Sequence, residues 1–280
     1  MPPASLAAQQ SGDTDKKFKN RNLQWSPPAL DSPVHSLASS PPCDLAKVLE
    51  QAAERESEQV TNLQNFTAQE KIQYQTFDRQ GSILDLGSET FDYIVVFQQS
   101  PEGLLFQEKR NPTHASILSP AATQDIGLPE MVLIFLPNMQ DDYEMSCEGA
   151  VEWGGKLTWV VHFQQRKDKP SRTYSFRVDN VVYPARLKGR AWIASDTGEV
   201  VHMETGLMEA VPVVKVQHSY LSIDYAPIQF QTQSVRIWLP KLVDGFWDFG
   251  GHRTIVFHTF TNFLLFSVQT DQKIEKPKQP

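Results

Sequence analysis

Residues 186–206 read RLKGRAWIASDTGEVVHMETG. Two runs that alternate apolar and polar residues flank Ser195-Asp196-Thr197-Gly198, a four-residue segment ending in glycine that can reverse the backbone. This is the pattern of a β-hairpin, and similar patterns follow one another almost to the C-terminus. Upstream, Phe66, Ala68, Ile72 and Tyr74 alternate with Thr67, Gln69, Lys71 and Gln73. Residues 91–99 and 104–109 form a pair around Ser100-Pro101-Glu102-Gly103, and 143–153 and 157–165 a pair around Gly154-Gly155. Further strands are expected at 173–178, 181–190, 191–194, 200–207, 213–225, 229–239, 245–249 and 254–268. About ten strands in series, with turns at intervals of roughly 8–12 residues, predict a mainly β chain: one large curved antiparallel sheet, a half-barrel.

Two segments depart from the period of two. Pro41-Pro42-Cys43-Asp44 reads as a helix start, with Asp44 complementing the helix dipole. Leu45, Val48, Leu49, Ala52, Val60 and Leu63 follow at near-helical spacing, with Glu50, Glu54, Arg55 and Glu58 on the other side. The spacing predicts one long amphipathic helix of about five turns, able to pack one face on a sheet. The second departure is the run 127–136, GLPEMVLIFL, which follows a loop-rich insert at 111–125. It is apolar all round and too short to span a bilayer, so it is a buried strand or a short helix plugging a cavity. Pro129 near its start and Pro137 after its end favour the short apolar helix.

Composition narrows the function classes. Apolar residues make up 40% of the 280, and 16 Phe and 6 Trp suit a core built on flat sheet surfaces. Net charge is −7, from 33 acidic against 26 basic residues, which disfavours nucleic acid as a partner. The basic stretch at Arg166-Lys167-Asp168-Lys169 with Arg172 reads as a solvated turn before a phosphate site. No run of apolar residues is long enough for a transmembrane helix, so contact with a membrane is expected to be peripheral at most. Residues 1–40, rich in Pro, Ser, Gln and Ala, read as a disordered leader or the remnant of a signal region; Trp25 and Leu30 are candidates for local docking. Ser5-Leu6-Ala7-Ala8 has the small-residue character of a signal-cleavage region without the charged and apolar segments that precede one, so the true start is expected upstream or near a processed terminus; a leader that merely contains Ala is the alternative. The single β domain is expected over 41–271, and 272–280 as a flexible tail.

The order of one amphipathic helix, a long antiparallel meander and an apolar insert resembles the LolA-like lipoprotein-carrier fold. The phrase Ala191-Trp192-Ile193, Thr197-Gly198-Glu199-Val200-Val201 and Glu204 is similar to the W-I-D-x-x-T-G-x-x-x-x-x-E hairpin of such carriers. Val235-Arg236-Ile237-Trp238-Leu239-Pro240 resembles their penultimate strands. From Cys43 to Gln269 the chain also resembles uncharacterised exported bacterial proteins of this shape, in phrases such as Cys43-Asp44-Leu45, Cys147-Glu148-Gly149, Gly251-His252-Arg253 and Leu264-Leu265-Phe266-Ser267-Val268. The resemblance implies an open half-barrel that shelters acyl chains behind helices, in a protein exported to the periplasm or cell envelope. In an exported chain the two cysteines, Cys43 and Cys147, read as one disulfide; two separate buried thiols are the alternative in a reducing compartment.

Candidate chemistry is sparse. Asp248, His252 and His258 are the one cluster from which a metal-assisted hydrolase could be built, yet on one strand the two histidines stand roughly 20 Å apart, too far to share a metal. Asp141, Asp142 and Glu144 lack calcium-loop spacing, and His162, His202 and His218 sit singly in expected strands. No nucleophile–base pair or phosphate-binding motif is evident. The expectation is a non-catalytic envelope protein, without metal or cofactor, that binds a lipid or lipoprotein acyl chain in the concave face of its sheet. Leu128, Met131, Val132, Phe135 and Leu136 would border the slot, with core filling as their plainer role. The alternatives are the hydrolase and an envelope scaffold that recruits a protein partner and holds no ligand.

Overall fold

The computed structural model describes residues 26–32, 34, 42–62, 65–100, 103–114, 127–129, 131–178, 181–230 and 236–266. Most of the leader at 1–40, the tail at 272–280, most of the insert at 111–125 and Leu63 lie outside them. Helix α1 (Leu45–Asn62) precedes strands β1 (Phe66–Phe77), β2 (Ile83–Ser100) and β3 (Gly103–Pro112). A 3-10 helix (Met131–Phe135) and a single turn of helix, α2 (Pro137–Gln140), lead into β4 (Tyr143–Trp153) and β5 (Lys156–Gln165). Then come β6 (Ser175–Val178), β7 (Val181–Pro184), β8 (Leu187–Ala194), β9 (Val200–Leu207), β10 (Val216–Gln229), β11 (Arg236–Phe249) and β12 (His252–Leu265).

Ten strands form one curved antiparallel sheet in the order β3-β2-β1-β12-β11-β10-β9-β8-β5-β4, with β6 and β7 as a separate ribbon. The first and last strands pair in the middle of the sheet, Phe66 against Leu265 and Phe77 against Arg253. The sheet does not close: β3 and β4 are its two ends.

The hairpin at 187–207 folds as its sequence reads, with Leu187 opposite Leu207 and the turn at 195–199. Elsewhere the expected strands differ in extent. The run 181–190 is interrupted, because β7 ends at Pro184 and β8 begins at Leu187. The run 213–225 starts instead with a 3-10 turn, Pro212–Val214, and its strand extends to Gln229. Residues 229–239 and 245–249, read as two strands, are the end of β10 and a continuous β11. Pro240 sits inside β11 because the register slips there: Asp224 pairs Leu242 and Tyr225 pairs Pro240, which leaves Lys241 as the extra residue of a bulge. Strand β2 begins at Ile83, well before the expected residue 91, and its first half pairs only with β1.

The registers sort the turns into two mouths. At one, the turns at 78–82 and 250–251 and the loop at 208–215 lie together, as Phe77 opposite Arg253, Phe249 opposite His252 and Val216 opposite Phe249 require. At the other lie the turns at 154–155 and 195–199 and the start of β11. Helix α1 crosses this second mouth. Cys43, just before it, is disulfide-bonded to Cys147 on β4, with 6.2 Å between their Cα atoms. Its middle passes over the β8–β9 turn, where Gly198 (φ 79) is required: a Cβ there would lie 2.8 Å from the Gln51 carbonyl oxygen. Near its end, the Trp238 backbone N–H donates to Gln59 Oε1 at 2.6 Å.

The disulfide closes a loop of 104 residues and ties the helix to an end strand of the sheet. Cys43→Ser with Cys147→Ser is expected to lower the unfolding free energy by ~4–5 kcal/mol. Urea unfolding of the double variant, compared with the oxidised protein, checks this.

Candidate functional site

Strand β1 alternates in burial, β8 and β9 are buried almost throughout, and one face of the sheet carries the main core. Phe66, Ile72, Phe91, Val161, Phe163 and Ile223 belong to it, together with Val48 and Ala52 from α1. The 3-10 helix lies in the same cluster, so the concave face is filled by a segment laid onto it. Leu128, Met131, Val132 and Phe135 are buried there, Phe135 completely, while Leu136 is half-buried. Within the apolar run, Met131–Phe135 therefore form a short helix, the form that the flanking prolines favour. Gln140 ties it to α1: its side-chain amide donates to the Leu49 and Phe135 carbonyls at 3.2 and 2.8 Å. At the other end the Gly127 N–H donates to Glu108 Oε1 at 2.9 Å.

Helix α1 is latched to the β8–β9 turn by the ion pair of Arg55 and Glu199, with guanidinium–carboxylate distances of 3.0 and 2.6 Å. Arg55 also meets Glu58 on its own helix at 2.5 Å. Beneath the helix Glu56 is 1% exposed, with a hydrogen bond from the Gln59 amide at 3.1 Å. Burial pushes the Glu56 carboxyl up to about 8, against smaller opposing effects of Gln59 and Arg55.

A second polar cluster lies inside the sheet itself, and sequence reading missed it. Glu70 on β1 and His258 on β12 are both fully buried, with His258 Nδ1 donating to Glu70 Oε1 at 2.7 Å. Arg110 on β3 donates to both oxygens of Glu70, at 2.7 and 3.1 Å, and stands 3.9 Å from Glu108. Its guanidinium also lies over the Tyr93 ring, 5.2 Å from the centroid. Burial alone would raise Glu70, but Arg110 and His258 hold its carboxyl below the usual range. Burial raises Glu108 to about 7, partly opposed by Arg110 and the Gly127 N–H. The signal was present in the chain: Glu70 occupies an inward position of the 66-68-70-72-74 alternation, where an unpaired carboxylate would be expelled.

The other expected groups are not brought together. His252 is exposed at the β11–β12 turn while His258 is buried against Glu70, so Asp248, His252 and His258 form no common site. Among the described residues no group of three or more His, Cys, Asp or Glu could hold a metal ion. Asp142 of the acidic run pairs with Arg172 at 2.5 Å, while Arg166 pairs with Asp168 inside the basic turn at 3.1 Å. On the convex face His202 stacks on Trp153, 3.9 Å between centroids, and lies 2.7 Å from Asp224 Oδ1. Burial would lower its imidazole, but Asp224 and Glu204 raise it above the ordinary value. Residues 26–32, within the segment read as leader, lie on this convex face: Leu30 is buried beside Phe77, Tyr220 and Phe246, and Arg190 donates to the Ser32 carbonyl.

No family model matches the chain, and no curated protein matches it. Similar solved structures include a DUF1329 family protein from Desulfovibrio piger, at a TM-score of 0.42 and 12% identity over 84% of this chain and 98% of that one. Another is a candidate outer membrane lipoprotein-sorting protein domain from Vibrio parahaemolyticus, at a TM-score of 0.41 and 13% identity over 81% and 95%. The fold itself rests on the strand order and registers above.

Two outcomes follow from the buried carboxyls. Between the ordinary carboxyl value of 4.5 and about 8, Glu56 is protonated in the folded protein and ionised in the unfolded chain. Its contribution to stability is thus complete below 4.5, falls as pH rises through that window, and is lost above it. Glu56→Gln is expected to raise stability at neutral pH and to flatten this part of the profile, as read by thermal unfolding across pH. Glu70→Ala strands Arg110 and His258 and is expected to cost ~3–5 kcal/mol in urea unfolding.

Proposed function

We propose that this chain is a non-catalytic protein of the cell envelope that holds an amphiphile, a lipid or the acyl chain of a lipoprotein, between helix α1 and the concave face of its sheet. The way that face is filled supports this most directly. A closed barrel would fill its interior with its own strands' side chains, whereas here a separate apolar segment, Met131–Phe135, lies on the sheet. An acyl chain asks for the same surface and offers the same chemistry in return. Displacing such a segment exchanges one apolar contact for another, so the net change in buried apolar area is small.

The lid is α1. Its N-terminal side is fixed covalently through Cys43, while further along it is held by the Arg55–Glu199 pair and the Gln59 contact to Trp238. A helix clipped at one end and latched electrostatically at the other can swing about the disulfide. Leu128, Met131, Val132, Phe135 and Leu136 are the residues that would border the ligand, and the methionine thioether suits chains of variable shape. No described helix is long and apolar enough to cross a membrane.

Native mass spectrometry of the protein, taken from its own envelope fraction without detergent, tests the reading. The expected result is a co-purifying lipid that is absent from Phe135→Asp, or from the milder Val132→Ser if the first variant fails to fold. Arg55→Gln, which releases the latch, is expected to keep the fold and to exchange a fluorescent fatty acid several-fold faster. A mass equal to the disulfide-bonded polypeptide alone, with no uptake of added fatty acid, would overturn acyl binding and favour a scaffold with a filled interior.

A further inference from the structure

The mouth opposite α1 carries a different surface. A cleft of ≈ 660 Å³ opens there, and its lining includes Arg79 from the β1–β2 turn, Lys215 from the β9–β10 loop and Arg253 from the start of β12. Asp248 is the one carboxylate in that lining. None of the three cations takes part in an ion pair among the described residues, in a chain whose net charge is −7. Arg79 folds over the Gly250-Gly251 turn, where a Cβ on Gly251 would lie 2.6 Å from its Nη2.

Exposed apolar side chains flank this basic cleft. Ile83, Leu84 and Leu86, at the start of β2, are 55%, 54% and 57% exposed. Val213 and Phe249, on the far side, are 55% and 38% exposed. The registers put Ile83 opposite Phe77, Phe77 opposite Arg253, and His252 opposite Phe249, whose other neighbour is Val216. Five consecutive strands therefore run along this rim, β2, β1, β12, β11 and β10, over roughly 19 Å at the usual strand spacing. The opposite mouth has the reverse character, with α1 presenting Glu50, Glu54 and Glu58 to solvent.

We propose that this rim docks onto a membrane surface carrying anionic phospholipids. Arg79, Lys215 and Arg253 would receive lipid phosphates, while Leu84, Leu86, Val213 and Phe249 enter the headgroup layer. A zwitterionic surface satisfies the apolar half of this arrangement only, whereas a surface with net negative charge satisfies both. The acidic helix α1 would then face away from the bilayer, which repels it. Docking needs no ligand beneath α1, so this inference does not depend on acyl binding.

Co-sedimentation of the full chain tests it, with vesicles of phosphatidylglycerol and phosphatidylcholine in equal parts against phosphatidylcholine alone. The expected result is binding to the anionic vesicles that weakens with salt. Arg79→Gln with Arg253→Gln and Lys215→Asn should lower the partition coefficient by about fivefold per cation, on the order of a hundredfold together. Asn is chosen because Lys215 has φ 58, a region that it tolerates. Leu84→Ser with Phe249→Ser should weaken binding while leaving its salt dependence intact. Equal binding to both vesicles, no binding at low salt, or a triple variant that binds like the native chain would each overturn the proposal.

Discussion

A sheet of ten antiparallel strands that curls without closing has a concave apolar face and nothing of its own to put against it. That constraint organises the molecule. The 3-10 helix of Met131–Phe135 supplies one covering and α1 the other, and the two meet through Gln140 and Leu49. The β6–β7 ribbon reaches the same core at the other mouth, where Phe176 packs on Trp247 at 6.4 Å. None of these pieces belongs to the sheet's own hydrogen-bond ladder, so each is held by burial and a few polar contacts, with the Cys43–Cys147 disulfide added for α1. They are the parts of the fold whose movement disturbs the strands least.

The buried polar groups follow from the same geometry. Strands β1, β3 and β12 project Glu70, Arg110 and His258 into a space that water does not reach, where each needs the others. Such a network contributes little net stability compared with apolar residues of the same volume, yet removing one member leaves stranded charge. Its geometry spans strands distant in sequence, and it ties β3, an end strand, to the middle of the sheet. Glu108 belongs to this group and also receives the Gly127 N–H, so the polar network fixes where the apolar segment begins. Glu56 is the opposite case: a single carboxyl under α1, partnered by an amide and kept protonated by burial.

The two mouths differ in charge and in apolar exposure, and that difference gives the molecule a direction. One is covered by an acidic amphipathic helix clipped to β4; the other presents Arg79, Lys215 and Arg253 between exposed apolar side chains. The proposed carriage, with docking at one mouth and opening at the other, needs this kind of asymmetry. A fully symmetric half-barrel would offer both ends equally.

The alternation at 143–153 and 200–207 and the spacing of Leu45, Val48, Leu49 and Ala52 were sufficient to place those elements, because each depends on local periodicity. The insert's helical form was likewise legible from its prolines. Where strand ends were misjudged, pairing overrode propensity. Ile83 to Thr90 contains Gly, Ser and two acidic residues, yet it extends because β1 lies beside it; Pro240 is tolerated because its own strand bulges at Lys241. Glu70's inward position was legible, but its partners Arg110 and His258 and the basic rim were not, since the members lie as much as 188 residues apart and meet only through register. Sequence by itself determined which segments are strands, which helix is amphipathic and that one run is apolar all round. Only the tertiary structure decided which charges are buried together, which are gathered at one mouth and which helix covers the other, because those depend on long-range pairing.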